Sequence, residues 1–233
     1  PCPARWTSDV TAAQVDPNEV EARVRAVRLR LDELGGRTVR ILAVTKGFDE
    51  SAIRAAVAAG LNQIGENYAQ EAVPKISSVR REGLTFEAHF IGHLQSNKVR
   101  GLAGVIDVWQ TVDRESVLRT LAERVPGARV LLQVNATGEL NKGGVDPGAL
   151  GALLDTALGA GLRVDGLMTM GPTNADLALT RHAFRTVRSL VDRFGLGECS
   201  MGMSGDLEIA VDEGSTLVRV GTALFGARAS RSV

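Results

Sequence analysis

With 44% hydrophobic and 23% charged residues over 233 positions, the chain has enough apolar material for a real core, which excludes disorder. Its 27 basic and 27 acidic residues cancel, which removes the electrostatic case for nucleic acid or an anionic membrane as partner. No apolar run approaches the ~18 residues of a spanning helix, and the first residues, PCPARWTSDV, lack a signal peptide's apolar stretch. Cys2 and Cys199 form neither a disulfide framework nor a zinc spacing, so reduced thiols and a cytoplasmic setting are expected.

Taken in order, residues 1–16 read as a loose lead-in. Residues 17–34 carry Val20, Val24, Val27 and Leu31 at helical spacing and stop at Gly35-Gly36. Residues 39–46 form an apolar, β-branched run that ends in Lys46 and is bounded by Gly47, the pattern of a strand buried on both faces. Residues 49–59 are helical and stop at Gly60; 61–65 form a short strand; a helix follows Tyr68 through Val79, with Pro74 as a disturbance. The alternation repeats: strands over 86–91, 105–112, 129–135, 163–170, 198–203 and 216–220, and helices over 95–102, 114–124, 147–160, 176–194 and 206–213, with a last turn at 223–226. Eight strand–helix units behind an extra leading helix, with no linker between them, predict a single (β/α)8 barrel domain over residues 17–233; an open doubly wound sheet is the alternative.

In such a barrel, functional groups collect at the carboxyl ends of the strands. Lys46 ends the first. Burial there disfavours the ammonium form, and a neutral amine attacks carbonyls, so Lys46 is a candidate Schiff-base former; the alternative is a lysine that snorkels to water. Glu66 and Asn67 follow the second strand, His89 lies in the third with His93 beyond it, Gln110 lies at the fourth, and Asn135 ends the fifth. His89 reads as a satisfied core histidine and His93 as exposed. After the seventh and eighth strands come Met201-Gly-Met-Ser204-Gly205-Asp206 and Gly221-Thr222. Two glycine-rich turns opening helices, with Ser204 as a cap and hydroxyl donor, resemble a phosphate cradle. Arg219 lies inside the apolar strand Leu217-Val-Arg-Val220 and needs a partner. It reads either as a buried ion pair with Glu66 or Asp206, or as a donor to a ligand's ring nitrogen or carboxylate. The loop 139–144 is either a lid carrying Lys142 or a polar connection. The three histidines have no spaced partners suggesting a catalytic triad.

Several segments together resemble the YggS/PROSC family, the pyridoxal 5′-phosphate (PLP) homeostasis proteins. They are Ala43-Val-Thr-Lys46, Gly65-Glu-Asn-Tyr68, His89-Phe-Ile-Gly92 with Leu94-Gln-Ser-Asn-Lys98, Gly166-Leu-Met168, Ser200-Met-Gly-Met-Ser204 with Asp206, and Gly214-Ser-Thr216 leading to Val218-Arg-Val-Gly-Thr222 and Phe225-Gly-Ala-Arg228. The resemblance covers nearly the whole chain. It implies a barrel like the amino-terminal domain of alanine racemase, with PLP held as a Schiff base on Lys46. It places Asn67 and Met201 at the cofactor, Ser204, Gly221 and Thr222 on its phosphate, and Arg219 at the pyridine nitrogen. Lys142 is set against a further family lysine beside PLP. Family members often carry a second lysine soon after the first; here Gly47-Phe48 stand instead, which weakens any relay between neighbouring lysines.

An arginine at the ring nitrogen, being only a donor, keeps that nitrogen unprotonated and the ring a poor electron sink. The resemblance therefore implies a PLP binder and carrier that buffers the free aldehyde, with little turnover. A chain that ends at Val233 is expected to lack the second domain that supplies a racemase's opposing base. Apo forms of PLP-dependent enzymes are the expected partners of a monomeric chain. The alternatives are a small racemase-like PLP enzyme and a barrel that binds another phosphorylated metabolite.

Overall fold

The structure, a computed structural model, describes residues 14–227. Cys2, Arg228 and most of the expected lead-in lie outside the described residues. Helix α1 (Pro17–Glu33) starts where the Asp16 carboxylate accepts from the Asn18 N–H at 2.8 Å and Pro17 occupies the first turn. Its buried stripe is Val20, Val24 and Leu31. Eight strand–helix units follow: β1 (Arg40–Val44) and α2 (Glu50–Ala58); β2 (Gln63–Glu66) and α3 (Ala69–Arg81); β3 (Glu87–Phe90) and α4 (Ser96–Leu102); β4 (Val108–Val112) and α5 (Glu115–Arg124). The second half has β5 (Arg129–Gln133), a 3-10 turn at Pro147–Ala149 and α6 (Leu150–Gly159); β6 (Arg163–Met168) and α7 (Leu177–Arg193); β7 (Glu198–Ser200) and α8 (Leu207–Asp212); β8 (Leu217–Val220) and α9 (Thr222–Phe225).

The strands form a closed parallel barrel in sequence order, with β8 returning to β1. The open-sheet alternative is thereby excluded. Several elements are shorter than their apolar runs, for local reasons. The Leu61 N–H bonds to Ala56 O and completes the end of α2. The N–H groups of Val105 and Ile106 both bond to Leu102 O and finish α4. After Ser200, Gly202 turns the chain out of β7 at φ +95°. Pro74 is carried inside α3.

Outward strand residues such as Ile41, Ile64, Phe90, Trp109, Val130 and Val218 pack with the helices into one continuous apolar layer. Each large side chain removed from water there contributes about 1.5–3 kcal/mol. The barrel interior is different. Val108, Leu131 and Met168 form a small apolar plug. Below it, at the strands' amino ends, Arg40 pairs with Glu198, and Arg129 pairs with Glu87 and Asp165. Above it, the interior turns polar toward the mouth.

Candidate functional site

The chain leaves β1 through a tight turn. Thr45 still donates its N–H to Gly65 O at 3.1 Å, and the Phe48 N–H returns to Thr45 O at 3.2 Å. Gly47 sits at φ +78°, a conformation that glycine adopts without strain. Beneath this turn lies a buried ion pair. The Lys75 ammonium from α3 meets Glu66 Oε1 at 2.6 Å and donates to Thr45 O at 2.9 Å and Phe48 O at 3.0 Å. The Thr45 hydroxyl also donates to Glu66, and the Gly47 N–H donates to Glu71 at 2.9 Å. Burial pushes the Glu66 carboxyl up, while the Lys75 ammonium and the Thr45 hydroxyl pull the other way.

Thr45 and Glu66 face the helix layer; Lys46 follows in the turn after β1, and Asn67 stands just past β2. Lys46 is half-buried at the rim. Asn67 Oδ1 is buried without a protein partner, an acceptor waiting for a donor. Gly92 lies so close that a Cβ there would fall 1.9 Å from Asn67 O, so glycine is required for the two loops to meet.

Arg219 rises inside the barrel, in register with Leu42 of β1, and is 5% exposed. It pairs with neither Glu66, which is committed to Lys75, nor Asp206, which acts on it only at a distance. The ion-pair expectation is therefore corrected. Its partners are neutral: Nη1 donates to Ser200 O at 2.8 Å and Ser200 Oγ at 3.0 Å, and Nη2 donates to Thr169 O at 2.7 Å. Burial pulls the guanidinium down to about 10. Such a group is buried with no carboxylate in contact among the described residues, an arrangement that leaves its charge uncompensated by an anion there.

Beyond β7 and β8, the Arg219 N–H bonds to Gly202 O at 2.9 Å and holds the two turns together. Ser204 does not cap α8; Asp206 occupies that position, its carboxylate accepting from the Met203 N–H at 2.5 Å. The Ser204 hydroxyl is left exposed, as is Thr222, and Gly221 caps α9. Leu224 and Phe225 both donate to Gly221 O, so the N–H groups of Thr222 and Ala223 precede the first helical bond. Met201 is wholly buried in the outer layer, its sulfur 3.6 Å from Cys199 Sγ, and its carbonyl accepts from Ser215 at 2.7 Å. Its side chain thus points away from the mouth. A cavity of about 290 Å³ beside Ser204 is lined by Arg23, Val27 and Arg30 of α1 and lies outside the barrel wall.

Lys142 is hydrogen-bonded at both ends of its reach. Its ammonium bonds to Glu139 at 2.9 Å and to Gly171 O, and Glu139 accepts from the Thr173 N–H at 3.2 Å. The polar-connection reading of loop 139–144 fits this, and the loop sits against the turn after β6. His89 is a buried core histidine and His93 is exposed, both as expected. The Lys75–Glu66 pair escaped sequence reading. The available signal was a lysine within the buried α3 stripe of Ala72, Ile76 and Val79.

A closed (β/α)8 barrel with a leading helix, a lysine at the end of β1 and an arginine inside β8 defines a recognisable class. The model of the family "Alanine racemase, N-terminal domain" matches residues 15–229. A pyridoxal phosphate homeostasis protein of Pseudomonas aeruginosa is 42% identical over 220 residues, covering 90% of this chain and 93% of that protein. The solved structure of PipY from Synechococcus elongatus with PLP bound is 34% identical, with a TM-score of 0.76, covering 89% of this chain and all of that one. Alanine racemase from Bacillus anthracis shares the fold at a TM-score of 0.71 and 18% identity, with 94% of this chain and 58% of that one covered. The chain belongs to the alanine racemase N-terminal domain family and, within it, to the pyridoxal phosphate homeostasis proteins.

Proposed function

We propose that this protein binds PLP through Lys46 and holds it for transfer to apo-enzymes, with little or no turnover of its own. The observation that carries the reading is Arg219, a buried guanidinium whose contacts are carbonyls and a hydroxyl. A donor-only group at that depth suits an unprotonated ring nitrogen, and Asn67 Oδ1 is a second unsatisfied group. When bound, PLP supplies an aldehyde that condenses with a primary amine and a ring that can delocalise electrons. Lys46 supplies the amine. The exposed hydroxyls of Ser204 and Thr222, with the first N–H groups of α9, bind the phosphate, and Gly221 lets the main chain approach. Arg219 would donate to the ring nitrogen and leave it without the proton that makes the ring a strong electron sink. The PLP homeostasis relatives and PLP-bound PipY support the same cofactor. We place the protein in the cytoplasm as a monomer built of one barrel domain over residues 17–233, with residues 1–16 as a lead-in. No described helix is long and apolar enough to cross a membrane.

The test is loading with PLP, borohydride reduction and peptide mapping. Modification at Lys46, lost in Lys46→Ala, is expected; a protein that retains no PLP refutes the reading. Robust turnover of alanine or serine enantiomers, abolished by Lys46→Ala, would establish the racemase-like alternative in its place.

A further inference from the structure

A continuous line of hydrogen bonds runs through the barrel from its floor to Arg219. Glu87 Oε1 lies 2.8 Å from His89 Nε2, and His89 Nδ1 lies 2.7 Å from Gln110 Nε2. Gln110 Oε1 accepts from Ser200 Oγ at 2.8 Å, and Ser200 Oγ accepts from Arg219 Nη1 at 3.0 Å. His89, Gln110, Ser200 and Arg219 are all at most 5% exposed, so they are shielded from bulk solvent. The line joins β3 and β4 to β7 and β8, two pairs of strands far apart in sequence.

The two ends determine its polarity. Arginine only donates, and an ionised carboxylate only accepts. The Glu87 carboxylate is paired with the Arg129 guanidinium, so it is an acceptor. Ser200 receives the Arg219 proton and gives its own to Gln110 Oε1. The Gln110 amide must then donate to His89 Nδ1, which leaves the His89 proton on Nε2, facing Glu87. Turning the amide over would set its NH2 toward a hydroxyl already accepting from Arg219, and would strand the Ser200 proton. Gln63 Nε2 also donates to Glu87 Oε1, at 3.1 Å, and fixes the acceptor from the side. At the upper end, Ser200 and Thr169 take three of the five guanidinium N–H groups. The Nε–H and one Nη2–H are left without a protein acceptor among the described residues.

We infer that Gln110 and Ser200 are positioning residues: through a hydrogen-bond chain of single polarity rooted in Glu87, they hold Arg219 as a fixed donor to the bound cofactor. This rests on the PLP reading above. Gln110 carries the sense set at the two ends across the middle of the chain, because its amide offers an acceptor on one side and a donor on the other. A carboxylate in its place would accept on both sides and force a second proton onto His89.

The experiment has two arms. In the first, long-range 1H–15N spectra of the PLP-free protein report which His89 nitrogen carries hydrogen, with His93→Asn and His182→Asn for assignment. The parent should show Nδ1 bare and Nε2 protonated, and Gln110→Glu should show both protonated. A bare Nε2 or an imidazolium in the parent overturns the inference. In the second arm, parent, Gln110→Met and Ser200→Ala are loaded with PLP labelled with 15N at the ring nitrogen. Both variants should still be reduced onto Lys46 by borohydride, with a displaced ring-nitrogen resonance and PLP affinity lower by about tenfold, the size of one lost hydrogen bond of charged character. Ser200→Ala keeps the inference testable should Gln110→Met not fold. Normal loading with an unmoved resonance in a folded variant overturns the positioning role while sparing the PLP reading. Failure of the parent to load removes the PLP reading and this inference with it.

Discussion

Removal of the Lys75 ammonium is the sharpest test of how the Lys46 turn is held. In Lys75→Met, three interactions go at once: those with Glu66, Thr45 O and Phe48 O. The Lys75 and Glu66 side chains are 5% and 0% exposed, so water does not replace the lost partner. Breaking a buried pair by deleting one member costs about 3–5 kcal/mol, and for a domain of this size that lowers the Tm by roughly 6–20 °C. The sign of the pH effect follows from Glu66, whose carboxyl already stands above its ordinary value. A raised carboxyl means that the folded chain binds this proton more tightly than the unfolded chain. The stability it contributes is present at low pH and is lost as pH rises from the ordinary carboxylate range through the folded-state value. Without Lys75 the carboxyl rises further, so the variant should be penalised more at about pH 8 than at about pH 5. Urea and thermal unfolding at the two pH values measure both effects. Glu66→Gln combined with Lys75→Met should recover part of the loss, and PLP binding should weaken as the Lys46 turn loosens. A cost under about 1 kcal/mol, or a pH dependence equal to the parent's, would refute the reasoning.

Other consequences are read from single sites. Gly92→Ala places a Cβ 1.9 Å from Asn67 O, so it should destabilise the barrel by about 1–3 kcal/mol or more and displace Asn67, as measured by unfolding and by loss of PLP binding. Burial pushes the Cys199 thiol up to about 12, so iodoacetamide should leave the Cys199 peptide unmodified in the folded protein and label it fully in urea. Labelling of the folded protein at the same rate would show that Cys199 is not enclosed. The hydrogen bonds from Lys142 and Thr173 hold the Glu139 carboxyl down at about 2, so its contribution is present above the ordinary carboxylate range and is lost as pH falls toward about 2. Lys142→Met should speed amide exchange across residues 139–144 and leave the barrel strands protected; unchanged exchange would mean that another contact holds the loop.

Much of this protein was legible residue by residue. The eight strand–helix units, the leading helix and the lysine at the end of β1 follow from periodicity and turn residues, which are local properties. The choice of partners was not local. Glu66 and Asn67 are adjacent, yet one meets the Lys75 ammonium while the other keeps a buried Oδ1 without a protein partner, a difference decided by what packs against each. Ser204 stood in a capping pattern, but Asp206 took the position once the turn closed. Gln110 and Ser200 meet across ninety positions of sequence, and Arg219 finds Thr169 across fifty, because closure of the barrel brings β4, β6, β7 and β8 around one axis. Sequence pattern by itself determined which residues form strands and that a lysine, Lys46, follows the first of them. Only tertiary structure decided which buried charge meets a carboxylate, as Lys75 does, and which has neutral partners, as Arg219 does, since burial in the barrel removes water as the alternative partner and leaves that choice to geometry.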